Sequence, residues 1–121
     1  MGVYKKGPSK KLYKLFQKWT NDVSPEEVKS LLLEGADPNY ISEKDNWGLS
    51  YHTFITACRK DEWIDSVKLL IENGADVNAK FDDNGQLAGV ETPLIIALRH
   101  GESAEKIQEL LIEFGAKWKS G

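Results

Sequence analysis

The stretch that decides the fold of this chain runs from Thr53 to Asn78 and reads Thr-Phe-Ile-Thr-Ala-Cys-Arg-Lys-Asp-Glu-Trp-Ile-Asp-Ser-Val-Lys-Leu-Leu-Ile-Glu-Asn-Gly-Ala-Asp-Val-Asn. Its apolar residues fall at helical spacing in two short runs, which predict helices over residues 52–60 and 64–73. A turn around Asp61 separates them, and Gly74 ends the second helix because glycine readily takes a positive φ. Versions of this unit occur before and after it. A unit that cannot bury its apolar face alone predicts a stack of repeats.

The unit before it begins with an amphipathic segment. Leu12, Leu15, Phe16 and Trp19 fall on one helical face, and Ser9 is a candidate N-cap, so we predict a helix over residues 9–20. Residues 1–8 are predicted to be a flexible tail, because they offer little to bury. The opposite face of the helix carries lysines, namely Lys11, Lys14 and Lys18.

The partner helix of this first unit has a clear start signal. Ser24-Pro25-Glu26-Glu27 places a capping hydroxyl, a proline at N1 and a glutamate at N3, which together form a capping box. Gly35 is the predicted stop. The apolar stripe between them is Val28, Leu31, Leu32 and Leu33.

Two long connections separate the helix pairs. The first, residues 40–51, contains the turn-forming run Lys44-Asp45-Asn46-Trp47-Gly48 and predicts a hairpin-like loop with Trp47 near its tip. The second, residues 79–91, contains Asp83-Asn84-Gly85, a tight-turn signal. Thr92-Pro93 then begins the third unit as N-cap and N1. Its helices are predicted over residues 92–100 and 104–114, with Gly115 as the stop.

The charge of the chain is unevenly distributed. The 121 residues carry a net charge of −3, yet residues 1–21 hold six lysines and no acid. Residues 22–121 hold ten basic and nineteen acidic residues, so the body is acidic and repels nucleic acid. No apolar run is long enough for a transmembrane helix, and no secretory signal is expected. The lone Cys58 suits a reducing compartment, so we expect a cytoplasmic protein.

Three helix pairs that end in Gly-Ala resemble ankyrin repeats. The resemblance rests on the two stops Gly35-Ala36-Asp37-Pro38-Asn39 and Gly74-Ala75-Asp76-Val77-Asn78, on Val67-Lys68-Leu69-Leu70-Ile71-Glu72, and on Thr92-Pro93-Leu94 with Ala97 and Gly101. It implies an all-α solenoid of three stacked helix pairs with extended hairpin-like loops. The expected single domain spans residues 9–121, in units of about 9–39, 40–78 and 79–121.

The chain departs from the family pattern in two ways. The Gly35–Gly74 and Gly74–Gly115 spacings are 39 and 41 residues, whereas the family period is about 33. Most of the extra length lies in the two loops. In addition, the family's Thr-Pro-Leu-His has isoleucine in place of histidine, at Ile55 and Ile95. The absent histidines put a regular hydrogen-bonded array of loops in doubt.

The sequence offers little for catalysis, so we expect no enzyme, no cofactor and no metal site. His52, His100 and Cys58 lack paired ligand spacing, and Cys58 lies on an apolar face, which favours a small core residue. Asp82 and Asp83 do not fit a calcium loop and favour a solvated turn. No phosphate loop or nucleophile motif occurs.

What remains is a binding surface. The resemblance implies that the loops and first helices form a concave face that binds another protein. We therefore expect a non-catalytic interaction module, acting as an inhibitor, an immunity protein or an adaptor, and monomeric. The residues predicted to contact the partner are Trp47, Tyr51, Arg59, Lys60, Phe81, Asp82, Asp83, Arg99 and His100. Trp, Tyr and Arg are enriched among interface anchors.

Two alternatives stay open at this point. Trp47 and Phe81 could fold back and seal the long loops instead of meeting a partner. The basic N-terminal helix could bind an anionic membrane or nucleic acid. We expect no membrane partner, because the second helix can cover the apolar face of the first, and no nucleic-acid partner, because the body of the chain is acidic.

Overall fold

The computed structural model describes residues 3–81 and 91–117. These residues form six α-helices: α1 Lys6–Gln17, α2 Pro25–Leu33, α3 Thr53–Ala57, α4 Ile64–Glu72, α5 Pro93–Arg99 and α6 Glu105–Glu113. Short 3₁₀ turns over Asp61–Trp63 and Gly101–Ala104 precede α4 and α6. Within the described ranges there is no strand, only two isolated antiparallel bridges. The all-α prediction is confirmed.

The helices stack as three pairs. The first helices α1, α3 and α5 contact one another in order, and so do the second helices α2, α4 and α6. One apolar core runs through the stack, because each pair covers the apolar face that its neighbour leaves open. The largest buried members include Leu12, Phe16, Val28, Phe54, Trp63, Val67, Leu70, Leu94, Ile107 and Leu111.

Asparagine side chains join neighbouring units. Asn39 Nδ2 donates to Gly74 O at 3.0 Å, and Asn39 Oδ1 accepts from Asp76 N at 2.9 Å. Asn78 repeats this bridge with Gly115 O at 3.1 Å and Lys117 N at 2.8 Å. The absent histidines therefore do not prevent a regular hydrogen-bonded array, because the asparagine of each Gly-Ala-Asp-x-Asn stop carries it.

Lys5 and Ser9 make hydrogen bonds to the first unit that correspond to those of the asparagine bridges. Lys5 N donates to Gly35 O at 2.8 Å, and Ser9 Oγ accepts from Asp37 N at 2.8 Å. A backbone amide and a serine hydroxyl thus replace the two ends of an asparagine amide. The carbonyl of Gly35 and the amide of Asp37 are therefore hydrogen-bonded in the first unit as well, although no asparagine supplies the bonds.

Three N-terminal predictions need correction: the extent of the tail, the N-cap and the end of the first helix. Helix α1 begins at Lys6, so Lys6–Pro8 are helical and not part of a loose tail, and Ser9 lies inside the helix instead of at its N-cap. Residues 1 and 2 of the predicted tail lie outside the described residues. Pro8 is tolerated in α1 because the first helical turn leaves its N–H groups unpaired in any case. The helix ends at Gln17, so Trp19 lies beyond it.

The predicted position of the start of α2 is correct, but the predicted capping hydrogen bonds are not formed. Ser24 is the N-cap and Pro25 is N1, yet the Ser24 side chain makes no capping bond to the backbone. Its hydroxyl donates instead to Glu26 Oε1 at 3.1 Å. Leu33, predicted as part of the apolar stripe, faces solvent at the end of the helix.

Helix α3 is shorter than the predicted 52–60 and ends at Ala57. Lys60 is extended, and the 3₁₀ turn that follows brings the Trp63 ring edge-on to Phe16, with ring centroids 5.4 Å apart. Burial of the largest side chain in the core outweighs continuation of one helical turn. Trp63 Nε1 also donates to Asn21 O at 3.1 Å, which holds the segment after α1.

A concave groove as candidate functional site

The first loop, residues 40–51, is a finger held together by hydrogen bonds between its two arms. Ser42 N donates to Tyr51 O at 2.8 Å, and Thr53 N donates to Tyr40 O at 2.9 Å. Ile41 and His52 form an antiparallel bridge below them. The hairpin-like loop predicted from the sequence is confirmed. The corresponding pair in the second loop is Phe81 and Glu91, whose amides and carbonyls exchange two hydrogen bonds of 2.8 Å.

Asp45 organises the tip of the first finger. Its Oδ1 accepts from Trp47 N at 2.8 Å and from Leu49 N at 2.9 Å, and its backbone pairs with Leu49 and Gly48. Gly48 takes a φ of +78°, which closes the turn. The tip therefore has a defined shape, and it presents the Trp47 side chain with 81% of its surface exposed.

A groove of about 450 Å³ lies between the fingers and the first helices. Helices α1, α3 and α5 supply its floor, and the two loops supply its wall. Its lining combines aromatic, aliphatic and charged side chains: Tyr13, Gln17, Asp45, Ser50, Tyr51, His52, Ile55, Thr56, Arg59, Phe81, Glu91, Ile96 and His100. Mixed linings of this kind are typical of binding sites with a few orienting polar groups.

Aromatic rings form the finger side of the groove. Tyr13 of α1 lies nearly parallel to Tyr51, with centroids 6.4 Å apart and an interplanar angle of 9°. Phe81 tilts against His52 at 6.5 Å. Burial raises the pKa of the Tyr13 hydroxyl, so the ring presents a neutral phenol.

Arg59 is held on the floor by backbone carbonyls. Its Nε donates to Thr56 O at 2.8 Å, and its guanidinium also donates to Phe16 O, at the last turn of α1. The guanidinium carbon lies 5.4 Å from the Trp63 ring centroid. Burial lowers the pKa of Arg59 from its ordinary value, but a guanidinium stays charged at neutral pH. The arginine links α1 to α3 as well as facing the groove.

Trp19 crosses the C-terminal end of α3 to reach the third unit. Its ring stacks on His100 with centroids 4.9 Å apart and an interplanar angle of 18°. Lys60 lies beneath it, with Nζ 5.3 Å from the Trp19 centroid and 4.8 Å from that of Trp63. Lys60 is only 8% exposed, and its ammonium pairs with Glu62 at 3.6 Å. The structure therefore places Lys60 under a tryptophan and away from the groove lining.

Glu91 lines the groove at the base of the second loop, with its side chain 17% exposed. Its Oε2 pairs with Arg99. Its Oε1 is buried, and no donor in the described part of the chain reaches it. A buried carboxylate oxygen without a donor is costly, and within the described residues the Tyr40 hydroxyl and the Ser66 hydroxyl are buried without a partner as well.

The predicted contact residues thus separate into groups. Tyr51, Arg59, Phe81 and His100 line one groove, and Trp47 stands exposed on the finger beside it. Arg99 lies at the edge and binds Glu91. Asp82 and Asp83 lie outside the described residues, as does the tight turn predicted at Asp83-Asn84-Gly85. The structure shows that these residues lie close together, and their role in binding a partner stays a prediction.

Sequence reasoning missed nine of the thirteen residues that line the groove, and three of these, Tyr13, Asp45 and Glu91, matter most for its shape and charge. Tyr13 follows Leu12 on the margin of the apolar face of α1, and this position was the available signal. Asp45 stands two residues before the exposed tryptophan, where an Asx turn is common. Glu91 precedes the N-cap threonine and carries no local signal, because its burial depends on the pairing with Phe81.

The side chains that could take part in a reaction, Cys58 and His52, have structural roles instead. Cys58 is fully buried, and burial raises the pKa of its thiol far above the range of a reactive cysteine. His52 is the N-cap of α3, where its Nδ1 accepts from Ile55 N at 3.4 Å. The described residues contain no cluster of three side chains able to hold a metal ion.

Comparison with protein families gives a direct match. The model of ankyrin repeats in three copies matches residues 18–120. The chain therefore belongs to the ankyrin-repeat family, whose repeats are protein–protein interaction modules and typically non-catalytic. No curated protein matches the chain. In the described part of the chain, no helix is long and apolar enough to cross a membrane.

Proposed function

We propose that this protein binds a partner protein through its concave groove and the tip of its first finger, without catalysing a reaction. The observation that carries the proposal is the placement of Trp47. It is 81% exposed on a turn that Asp45 holds, beside a groove lined by Tyr51, Arg59, Phe81 and His100. Tryptophan, tyrosine and arginine are the residues that most often dominate binding energy at interfaces.

The same observation bears on the alternative in which Trp47 seals its own loop. A sealing residue would lose most of its exposed surface, whereas Trp47 keeps it. A rigid turn also lowers the entropy lost when a side chain is immobilised in a complex. Both points favour an anchor that enters a pocket of the partner.

The biological role that we propose is that of an inhibitor, an immunity protein or an adaptor, acting as a monomer in the cytoplasm. Three repeats and a groove of this size suit a protein that blocks or bridges a single partner. The single thiol, buried in the core, suits a reducing compartment. Binding of an anionic membrane or nucleic acid by the N-terminal lysines is less favoured, because Lys6 and Lys10 pair with Glu43 at 3.6 and 3.0 Å.

The test compares Trp47→Ala with wild type. A partner captured from native lysate is identified, purified and titrated against both proteins by calorimetry. Loss of a buried aromatic anchor costs about 2 kcal/mol or more, so Trp47→Ala should weaken binding by roughly 30-fold or more. The melting temperature should change little, because an exposed side chain contributes little to folding.

Two substitutions on the second helices serve as controls. Lys68→Ala and Glu109→Ala change exposed residues of α4 and α6, away from the groove. They should alter neither the affinity nor the melting temperature appreciably. Loss of binding in these two variants would place the partner on the convex side. A lower melting temperature with unchanged affinity in Trp47→Ala would make Trp47 a structural residue.

A further inference from the structure

Arg59 is a partly buried cation of the groove floor, and not all of its hydrogen-bond donors are used. Its Nε donates to Thr56 O, and its Nη2 donates to Phe16 O and, at 3.5 Å, to Gln17 O. A guanidinium carries five N–H groups, so the two on Nη1 remain. They meet no acceptor in the described part of the chain. Nη1 is not one of the atoms that the described residues bury without a partner, so it is open to solvent.

The charge of Arg59 also lacks a counter-ion in the described residues. The other basic side chains beside the groove have one, because Arg99 pairs with Glu91 and Lys60 pairs with Glu62. None of the ion pairs in the described part of the chain includes Arg59. Burial lowers the pKa of Arg59, because it removes water from the charged form. A charge in this situation gains most from a partner that supplies the opposite charge.

The guanidinium of Arg59 lies on the groove side of the floor. Burial, and next to it the charge of Arg59, lowers the pKa of His100 below its ordinary value of 6.5. The hydroxyls of Tyr13 and Tyr51 also lie within electrostatic range of the guanidinium. All three of these neighbours line the groove. His100 is neutral at neutral pH, so the positive charge that a bound molecule meets here is that of Arg59.

The two carboxylates of the groove lining are engaged by other groups. Asp45 accepts from two backbone amides of the fingertip and from the Tyr51 hydroxyl, and Glu91 pairs with Arg99. Their negative charges are therefore partly compensated. The acidic body of the chain opposes an anion only over a short range, since charge interactions fade over about 8 Å at physiological ionic strength. The charges nearest to the bound group decide the preference.

We propose that the groove binds an extended acidic segment of the partner, and that Arg59 Nη1 donates to a glutamate or aspartate carboxylate of that segment. Groove residues lie on both sides of Arg59, on α1 and on α5, so a bound segment continues past it. This favours a side-chain carboxylate over a chain terminus. The inference rests on the proposed function, because it names the chemistry by which the same groove selects its partner. Trp47 supplies affinity that does not depend on this charge.

Three pools of short fluorescent peptides test the proposal by fluorescence anisotropy. Their ends are blocked, they share randomised neutral flanks, and they differ in one central residue, which is glutamate, glutamine or arginine. Glutamine keeps the size of glutamate but lacks its charge. The wild-type protein should bind the glutamate pool roughly tenfold more tightly than the glutamine pool, which corresponds to one hydrogen bond between charged groups.

One variant and one direct observation locate this preference. Arg59→Gln should bring the glutamate and glutamine pools to nearly equal affinity. Arg59 also joins α1 to α3, but a purely structural role would weaken both pools equally and leave their affinity ratio unchanged. Lys68→Gln removes one positive charge from an exposed site of α4 and should keep the wild-type ratio. In wild type, the ¹⁵N resonances of the Arg59 guanidinium should shift with the glutamate pool and not with the glutamine pool, which tests the contact without any substitution.

Several results would overturn the inference: equal affinity of wild type for the glutamate and glutamine pools, preference for the arginine pool, no binding of any pool, an unaltered ratio in Arg59→Gln, or unmoved Arg59 resonances. Tighter binding of a pool whose only carboxylate is a free C-terminus would overturn the choice of a side chain. None of these results affects the Trp47→Ala comparison with the captured partner. If Trp47→Ala spares the partner's affinity while the peptide preference depends on Arg59, the fingertip anchor fails and the groove specificity remains.

Discussion

At the scale of single residues, Asp45 holds the backbone of the turn that presents the exposed Trp47 side chain. One carboxylate oxygen accepts the amides of Trp47 and Leu49, and the other accepts the Tyr51 hydroxyl at 3.4 Å. Hydrogen bonds to a charged acceptor contribute about 1.5–3 kcal/mol each. The shape of the fingertip thus depends on one short side chain.

We predict that Asp45→Ala loosens the fingertip while the stack stays folded. Amide hydrogen exchange at Trp47 and Leu49 should accelerate by roughly tenfold or more, because both N–H groups lose their charged acceptor. Exchange at core amides such as those of Val67 and Leu70 should not change. Lys44→Ala, at the adjacent exposed position, is the control. Unchanged exchange at Trp47 in Asp45→Ala would contradict the assigned role.

His52 makes the stability of the fold depend on pH. Burial lowers its pKa from the ordinary value of 6.5, so the folded state favours the neutral ring whose Nδ1 caps α3. The unfolded chain takes up a proton near pH 6.5 while the folded chain resists it. The stabilisation by neutral His52 is therefore complete above that pH, and it is lost as the pH falls towards the lower pKa of the folded state.

We therefore predict that the melting temperature of the wild-type protein falls as the pH is lowered from about 7 to about 5. His52→Thr should show a smaller loss, because a threonine hydroxyl can cap the helix as Thr92 Oγ1 caps α5, accepting from Ile95 N at 3.1 Å. Lys68→Ala should keep the full wild-type loss. The same pH dependence in His52→Thr as in wild type would show that other groups cause it.

At the scale of elements, helix α6 depends on a residue from another repeat. Asp61 Oδ2 accepts from Lys106 N at 3.1 Å, and Oδ1 accepts from Ile107 N at 3.0 Å. Two free amides in the first turn of α6 thus receive a carboxylate across the interface between units, and the charge also complements the helix dipole. Helix α6 has no side-chain cap from its own N-cap residue, Ala104.

We predict that Asp61→Ala lowers the free energy of unfolding by about 1–2 kcal/mol, the cost typical of a lost N-cap. Urea denaturation measures it, and Glu109→Ala within α6 is the control for removal of one negative charge. Asp61→Asn should recover part of the loss, since an amide oxygen still accepts one amide. A loss below about 0.3 kcal/mol for Asp61→Ala would mean that water replaces the cap.

At the scale of the whole molecule, the interfaces between units carry the stability. Leu70 of α4 is fully buried, and α4 contacts both α2 and α6. With three repeats, no unit keeps its apolar surface covered if the central one opens. The asparagine bridges join the same units on the loop side, so packing and hydrogen bonds act on the same interfaces.

We therefore predict a single cooperative unfolding transition and a loss of about 2–5 kcal/mol for Leu70→Ala, the range for a buried leucine. Circular dichroism and tryptophan fluorescence should give coincident urea curves for both proteins. Leu33→Ala removes the same group from an exposed position of α2 and should cost far less. Two separate transitions in wild type would contradict the view that all three units unfold together.

The sequence alone determined the elements whose signals lie within a few neighbouring residues. The helix pairs follow from apolar spacing, and Gly35 and Gly74 take φ angles of 104° and 99° at the predicted stops. Thr92-Pro93 begins α5 as expected. The first finger, with Trp47 near its tip, follows from the turn formers around that residue, whereas the exposure of the Trp47 side chain is known only from the structure. The family resemblance then ordered these elements into a stack.

The tertiary structure decided what depends on residues far apart in the chain. The early end of α3, the burial of Lys60 beneath Trp19 and the partnership of Asp61 with α6 come from contacts between different units. Arg59 and Phe16, or Asp61 and Ile107, are 43 and 46 positions apart. Local periodicity holds no information about such pairs, because the free energy of each contact depends on which side chains the completed stack brings within reach.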